Sequence, residues 1–335
     1  MPGRWIRRIL AAFILCTIAL SVWAQPHEGY KNLKVLPKDI SQADLRATMS
    51  GFTRALGVRC VYCHVGEEGK MKPEDWEKDD KATKRTAREM LRMVQDINAT
   101  YLARLENRAQ PTIVVKCATC HHGVSQPRAL QDVLATSYET GGIDSTLSRY
   151  QALRNRYYGS AAYDFGEVPL VDVSNQLRQQ GHPEDAMRLL ALNVDLNPNS
   201  TYAKRRLSSA TMSKAFMTAP DSGTVAYNDL KARYGTNVIN QDLVNEVGYQ
   251  LLAAHDTGSA IAALKLNVAE HPESADAYDS LGEAYMANSD WKLATEAYKK
   301  SLTLDPTNEN AKRQLDDIKV KSKQKKPKAG APERH

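Results

Sequence analysis

Cysteine is rare in this 335-residue chain. There are five, and four of them fall in two C-x-x-C pairs, Cys60/Cys63 and Cys117/Cys120. The fifth, Cys16, sits in an N-terminal apolar stretch, so a mature chain has no thiol left over. Long apolar runs are equally scarce: the stretch from Ile9 to Trp23 is too short for a confident membrane span. A surplus of basic charge is absent from the middle of the chain. The formal charge is +6, but Lys319 to His335 supply +6 on their own and Arg4, Arg7 and Arg8 add three more, which leaves the middle at −3. That excludes a nucleic-acid-binding surface on the folded domains. His27, His122, His182, His255, His271 and His335 show no ligand spacing. The length is enough for two or three domains.

What is present is organised around two five-residue runs, Cys60-Val61-Tyr62-Cys63-His64 and Cys117-Ala118-Thr119-Cys120-His121. Two thiols one short turn apart can bond the vinyl groups of a porphyrin while the next His reaches its iron, so C-x-x-C-H marks covalent haem attachment. A zinc site built from both pairs would span a gap far longer than the ~15–20 residues usual for paired zinc knuckles. Two disulfides would persist in an exported chain. Neither alternative gives a reason for a His directly after each second Cys. The motifs therefore predict two covalently bound haem c groups, with Cys60, Cys63, Cys117 and Cys120 as attachment points and His64 and His121 as iron ligands.

Arg4, Arg7 and Arg8 before the apolar run, and Val22-Trp23-Ala24 before Gln25, form a secretory signal over residues 1–24. This predicts a periplasmic or cell-envelope protein; an uncleaved anchor stays open, and a lipoprotein reading through Cys16 is disfavoured by bulky Leu15. Ser41-Gln42-Ala43-Asp44 opens a helix of capping-box type that ends at Gly57. Leu45, Met49, Phe52 and Leu56 share one face of it, and the turn into Cys60 lets the Met49 thioether lie over the first haem. A polar loop from Gly66 to Asp79 leads to a second helix, from about Asp80 to Glu106. Its apolar stripe is Met90, Val94, Ile97, Tyr101 and Leu105, with Met93 to one side, so either Met could face the second haem. The architecture is one unit used twice: a helix carrying Met, a turn, then C-x-x-C-H.

The stretch from Asn32 to Pro127 resembles one half of the cytochrome c subunit of photosynthetic reaction centres. The likeness rests on Leu33-Lys34-Val35-Leu36, Arg46-Ala47-Thr48-Met49, Ala87-Arg88-Glu89-Met90-Leu91-Arg92-Met93, Ile97-Asn98 and the two haem motifs, the second continuing as His122-Gly123. The resemblance implies that each Met-bearing helix supplies the sixth ligand to the haem attached after it: Met49 with His64, and Met90 with His121, leaving Met93 as packing. Family members carry four haems in two such halves, whereas this chain has one pair. A His that serves the other half in the family has no counterpart in Tyr101-Leu102-Ala103-Arg104, which fits a stand-alone pair.

Pro272 and Pro306 close segments spaced at the tetratricopeptide period, and Pro198 closes a similar one. Tyr278, Leu281, Gly282, Tyr285, Ala294 and Tyr298 occupy signature positions in the last repeat; Val244, Val247, Gly248, Leu251, Ala260 and Leu264 do so in the one before, and Leu170, Val173, Leu177, Ala186 and Leu190 in an earlier one. A larger duplication relates Tyr150-Gln151-Ala152-Leu153 to Tyr227-Asn228-Asp229-Leu230, and Leu192-Asn193-Val194 to Leu266-Asn267-Val268.

The expected fold is all-α. A signal peptide (1–24) precedes a di-haem cytochrome c domain (25–127), a helical joint (128–166), a tetratricopeptide-repeat α-solenoid (167–318) and a basic disordered tail (319–335). Irons held by His and Met have no open position, and thioether ligation raises their potential. The expected function is an exported electron carrier, not an enzyme, exchanging electrons with redox donor and acceptor proteins and docking a protein partner through its repeats. Association with a membrane complex and a photosynthetic role follow from the resemblance alone. The alternatives are a di-haem peroxidase-like enzyme with one five-coordinate iron and a haem-based sensor or scaffold.

Overall fold

The computed structural model describes residues 30–107 and 110–324, and the stretch read as a signal peptide lies outside them. The described residues form helices and turns with no strand. They divide into two compact units, one reaching to Pro127 and including Ser160–Ala162, the other made of Arg128–Gly159 and the chain from Tyr163 onward.

In the first unit, α1 (Gln42–Leu56) starts where the Ser41 side chain accepts the Asp44 N–H at 3.1 Å and stops at Gly57, which is left-handed at φ 64°. A 3₁₀ turn, Cys60–Tyr62, follows. The segment expected to be loop contains a short helix, α2 (Pro73–Glu77), with Pro at its first turn. The second Met-bearing helix, α3 (Ala82–Asp96), is shorter than its apolar stripe predicts and gives way to a π turn, Ile97–Tyr101, and a 3₁₀ turn, Leu102–Arg104. Asn98 supplies the reason. Its amide donates to the Val94 carbonyl at 2.9 Å and to the Val115 carbonyl at 2.8 Å, and accepts from the Val115 N–H at 2.9 Å. A side chain competing for a helical carbonyl shifts the ladder, and the Leu102 N–H reaches back to Ile97. The last helix of this unit, α4 (Cys117–His121), is the second haem motif itself.

The second unit stacks helix pairs. Its first helix, α5 (Leu130–Tyr157), breaks into two arms at Gly141 and Gly142, whose backbones are non-helical. Then come α6 (Val168–Gln179) with α7 (Pro183–Leu196), α8 (Thr201–Thr218) with α9 (Pro220–Tyr234), α10 (Gln241–Ala253) with α11 (Thr257–Glu270), and α12 (Ala275–Ala287) with α13 (Trp291–Leu304), closed by α14 (Glu309–Gln324). This is a tetratricopeptide-type solenoid. At Gly282 a Cβ would stand 2.7 Å from the Tyr298 ring, so the signature glycine lets α13 close on α12. The α8/α9 pair is absent from the sequence-derived repeats; its long helices pack Phe216 against Gly223 in place of the signature residues.

That pair also explains the larger duplication. Tyr150 in the second arm of α5 and Tyr227 in α9 are both buried, as are Asn193 in α7 and Asn267 in α11. The repeated block is thus four helices long. α14 continues past Ile318 to Gln324, so the basic tail expected to be disordered from Lys319 begins as helix. Lysine is a good helix former, and Lys319 pairs with Asp316 at 2.8 Å.

Candidate haem-binding sites

Met49 on α1 and the turn bearing Cys60, Cys63 and His64 line one cavity of about 720 Å³. Leu45, Phe52, Ala87 and Leu91 contribute carbon to its walls, and residues 30–36 form a further side. Trp76, carried by α2, meets the His64 ring edge to face with centroids 5.1 Å apart. The sequence reading missed this residue; a lone Trp behind Pro73 in an otherwise polar stretch was its signal. Burial first, and the Lys84 ammonium second, hold the His64 imidazole below its ordinary pKa, so the ring is neutral at pH 7. Its Nδ1 is buried without a hydrogen-bond partner.

Polar groups gather on one side of this cavity. Asp79 pairs with Lys34 at 2.6 Å, Arg88 at 2.8 Å and Lys84 at 3.2 Å, and accepts from the Asn32 amide at 2.9 Å. Arg88 and then Lys34 hold its carboxyl far below the usual carboxylate range. Lys84 is buried and also donates to the Trp76 and Lys78 carbonyls at 2.7 and 2.6 Å. The first motif is fastened to the start of α3, where Lys81 donates to the Val61 carbonyl and Thr83 to the Tyr62 carbonyl.

At the second motif, His121 Nδ1 donates to the Val124 carbonyl at 2.9 Å, which leaves the Nε2 lone pair for a metal. The Val124 N–H returns a bond to the His121 carbonyl at 2.8 Å. Cys117 and Cys120 stand on the same turn, Cys117 half-buried and Cys120 exposed. Met90 and Met93 are both exposed on α3, and neither lines the cavity that contains Met49. Tyr101, Leu105, Ile113 and Val114 are exposed as well. His122 takes a left-handed conformation and is exposed; His27 lies outside the described residues.

The two motifs touch through main chain. The Gly123 N–H donates to the Ala55 carbonyl at 2.9 Å, and a Cβ on Gly57 would stand 1.9 Å from the Gly123 oxygen.

The first cavity fits a haem: carbon walls, two thiols, a neutral imidazole and a thioether border one space. The second motif offers the same thiol and imidazole donors, with exposed Ile113 and Val114 just before it in the chain. Among the described residues no three His, Cys, Asp or Glu side chains gather to hold a metal ion directly, so the two C-x-x-C pairs do not assemble a four-thiolate site.

Residues 21–187 match the family model described as photosynthetic reaction centre cytochrome C subunit, and residues 275–308 match the tetratricopeptide repeat. The first match runs beyond Pro127, where the motif-based resemblance ends. Cytochrome c-554 of Chloroflexus aurantiacus is 35% identical over 101 residues, 30% of this chain and 22% of that protein. The photosynthetic reaction center cytochrome c subunit of Roseobacter denitrificans is 32% identical over 123 residues, 36% of this chain and 31% of that protein. The chain therefore spans less than a third of the length of these relatives. Among solved structures, MamA 41-end from Desulfovibrio magneticus RS-1 shares 21% identity at a TM-score of 0.30, covering 48% of this chain and 87% of that one. A thermophilic tetratricopeptide protein of Thermus thermophilus shares 14% at 0.29, covering 57% and 97%.

Proposed function

For a chain that belongs over residues 21–187 to the photosynthetic reaction centre cytochrome C subunit family, and over residues 275–308 to the tetratricopeptide repeats, we propose electron transfer by two covalently bound haem c groups. The observation that carries this reading is the single cavity bordered by Met49, Cys60, Cys63 and His64. Bound haem c supplies one-electron exchange between ferric and ferrous iron. Cys60 and Cys63 would hold the first group and Cys117 and Cys120 the second. His64 with Met49, and His121 with Met90, would fill the axial positions, leaving neither iron open to substrate; Met93 then packs. His64 is prepared for its role by neutrality, and His121 by a bond that fixes its tautomer.

Residues 25–127 would act as the redox domain and the repeats as the dock for a protein partner, after export to the cell envelope. The redox donor and acceptor, and association with a membrane complex, extend this reading by family alone.

Intact mass after acid–acetone extraction tests the cofactor, with two haems expected to remain on the chain. Carbon monoxide should leave the reduced protein's spectrum unchanged, whereas Met49→Ala and Met90→Ala should each let one iron bind it and Met93→Ala should not. Binding to the unaltered protein would favour the peroxidase-like alternative, and recovery of free haem would end the covalent reading.

A further inference from the structure

The polar side of the first cavity holds more positive charge than the protein answers. Lys34, Lys84 and Arg88 all line the cavity, and all three share one carboxylate, Asp79, which is not itself among the lining residues. Among the described residues no other carboxylate pairs with three cations; Glu246, with Arg205 and Arg206, pairs with two. Lys84 is 8% exposed and the Arg88 side chain 14%, so these two are not solvated surface charges, whereas the Lys34 side chain is 54% exposed. The two sheltered cations against one anion leave net positive charge beside a space walled mainly by carbon, an arrangement that is unfavourable unless counter-charge enters it. The other charged lining groups are Lys31 and Arg46, which are exposed, and half-buried Glu77. A haem brings two carboxylates that would supply that counter-charge.

Resting on the haem reading of this cavity, we propose that Asp79 is a positioning residue. It holds Lys34, Lys84 and Arg88 as the receptor for the two haem carboxylates, and its charge sets the potential of the haem attached at Cys60 and Cys63. The same carboxylate latches the N-terminal wall. Asn32 donates to Asp79, and its carbonyl accepts from Arg88 at 3.2 Å, so residues 30–36 close on α3 through this one group. Because ferric haem carries one more positive charge than ferrous, an anion nearby favours the oxidised form and a cation the reduced form.

The test is a spectroelectrochemical titration of the full-length haem-loaded protein, with the first haem identified as the wave that Met49→Ala moves. Asp79→Asn should raise that wave and Arg88→Gln should lower it, with the second wave unmoved and reporting an intact fold. Asp79→Glu should restore the original position. The assignment is overturned if neither variant moves the wave, if both move it in the same direction as lost packing would, or if both haems shift together. A protein without haem at Cys60 and Cys63 would sink the reading of the cavity itself; a haem with unmoved potential would sink only the role of Asp79.

Discussion

The two units differ in what they bury. In the repeat unit, side chains such as Leu134, Leu170, Leu189, Leu243, Val247 and Tyr298 are sealed from solvent in three clusters. In the haem unit, the buried apolar residues among those described are Ala55 and Val124, while Met90, Met93, Tyr101, Ile113 and Val114 are exposed. Burial of apolar area is the main favourable term in folding, so the repeat unit carries its core in its own sequence, whereas the described residues of the first unit bury little. On the proposed haem reading, the difference teaches that the C-x-x-C-H motifs would serve folding as well as redox chemistry.

The most forceful way to break the comparison is to prevent attachment. With Cys60, Cys63, Cys117 and Cys120 all changed to Ser, limited proteolysis of the full chain should degrade the region before Pro127 and leave a helical fragment beginning near Arg128. Survival of both parts would mean that the haem unit has a sufficient core of its own. Next in size, Leu189→Ala should destabilise the repeats by about 2–5 kcal/mol, read by urea unfolding, because Leu189 is fully buried, while the haem spectrum stays as it was.

A smaller effect is expected at Gly57→Ala, which combines a left-handed backbone with a Cβ directed at the Gly123 oxygen. Strain of this kind costs on the order of 1–3 kcal/mol and should appear in thermal melts followed at the haem bands, with the repeat transition unmoved.

The smallest effect belongs to the repeats. Glu270 is paired with Lys231 at 2.6 Å, and this ion pair holds its carboxyl below the usual value. A depressed folded pKa adds stability above the unfolded value of about 4.3, and that stability fades as pH falls below it. Glu270→Gln should therefore cost at most about 1 kcal/mol at pH 7 and nothing once the wild-type carboxyl is protonated. Paired urea titrations at the two pH values would show it.

How much was legible depended on whether the signal was local. Cys60 to His64, Met49 on its helical face, the Ser41 cap and the Gly57 stop all rest on spacings within a few turns, and the structure brings Met49, Cys60, Cys63 and His64 to one cavity. Gly248 and Gly282 announced their repeats because close helix packing demands a small residue at those positions. What escaped depends on partners distant in sequence. The early end of α3 follows from Asn98 bonding Val115, and the polar wall from Asp79 gathering Asn32 and Lys34, neither of which leaves a periodic trace. The α8/α9 pair escaped because Phe216 and Gly223 solve the packing with residues outside the repeat signature. Met90 and Met93 remain equivalent in exposure, so the choice between them rests on motif alignment.

The contact between Gly123 and the end of α1 reaches beyond stability. Since the Gly123 N–H is bonded to the Ala55 carbonyl and a Cβ on Gly57 would strike the Gly123 oxygen, the two motif-bearing turns meet through main chain. On the proposed haem reading, a spacing held by backbone would keep the gap between the two irons, and with it the rate of tunnelling from one to the other, steady under side-chain substitution.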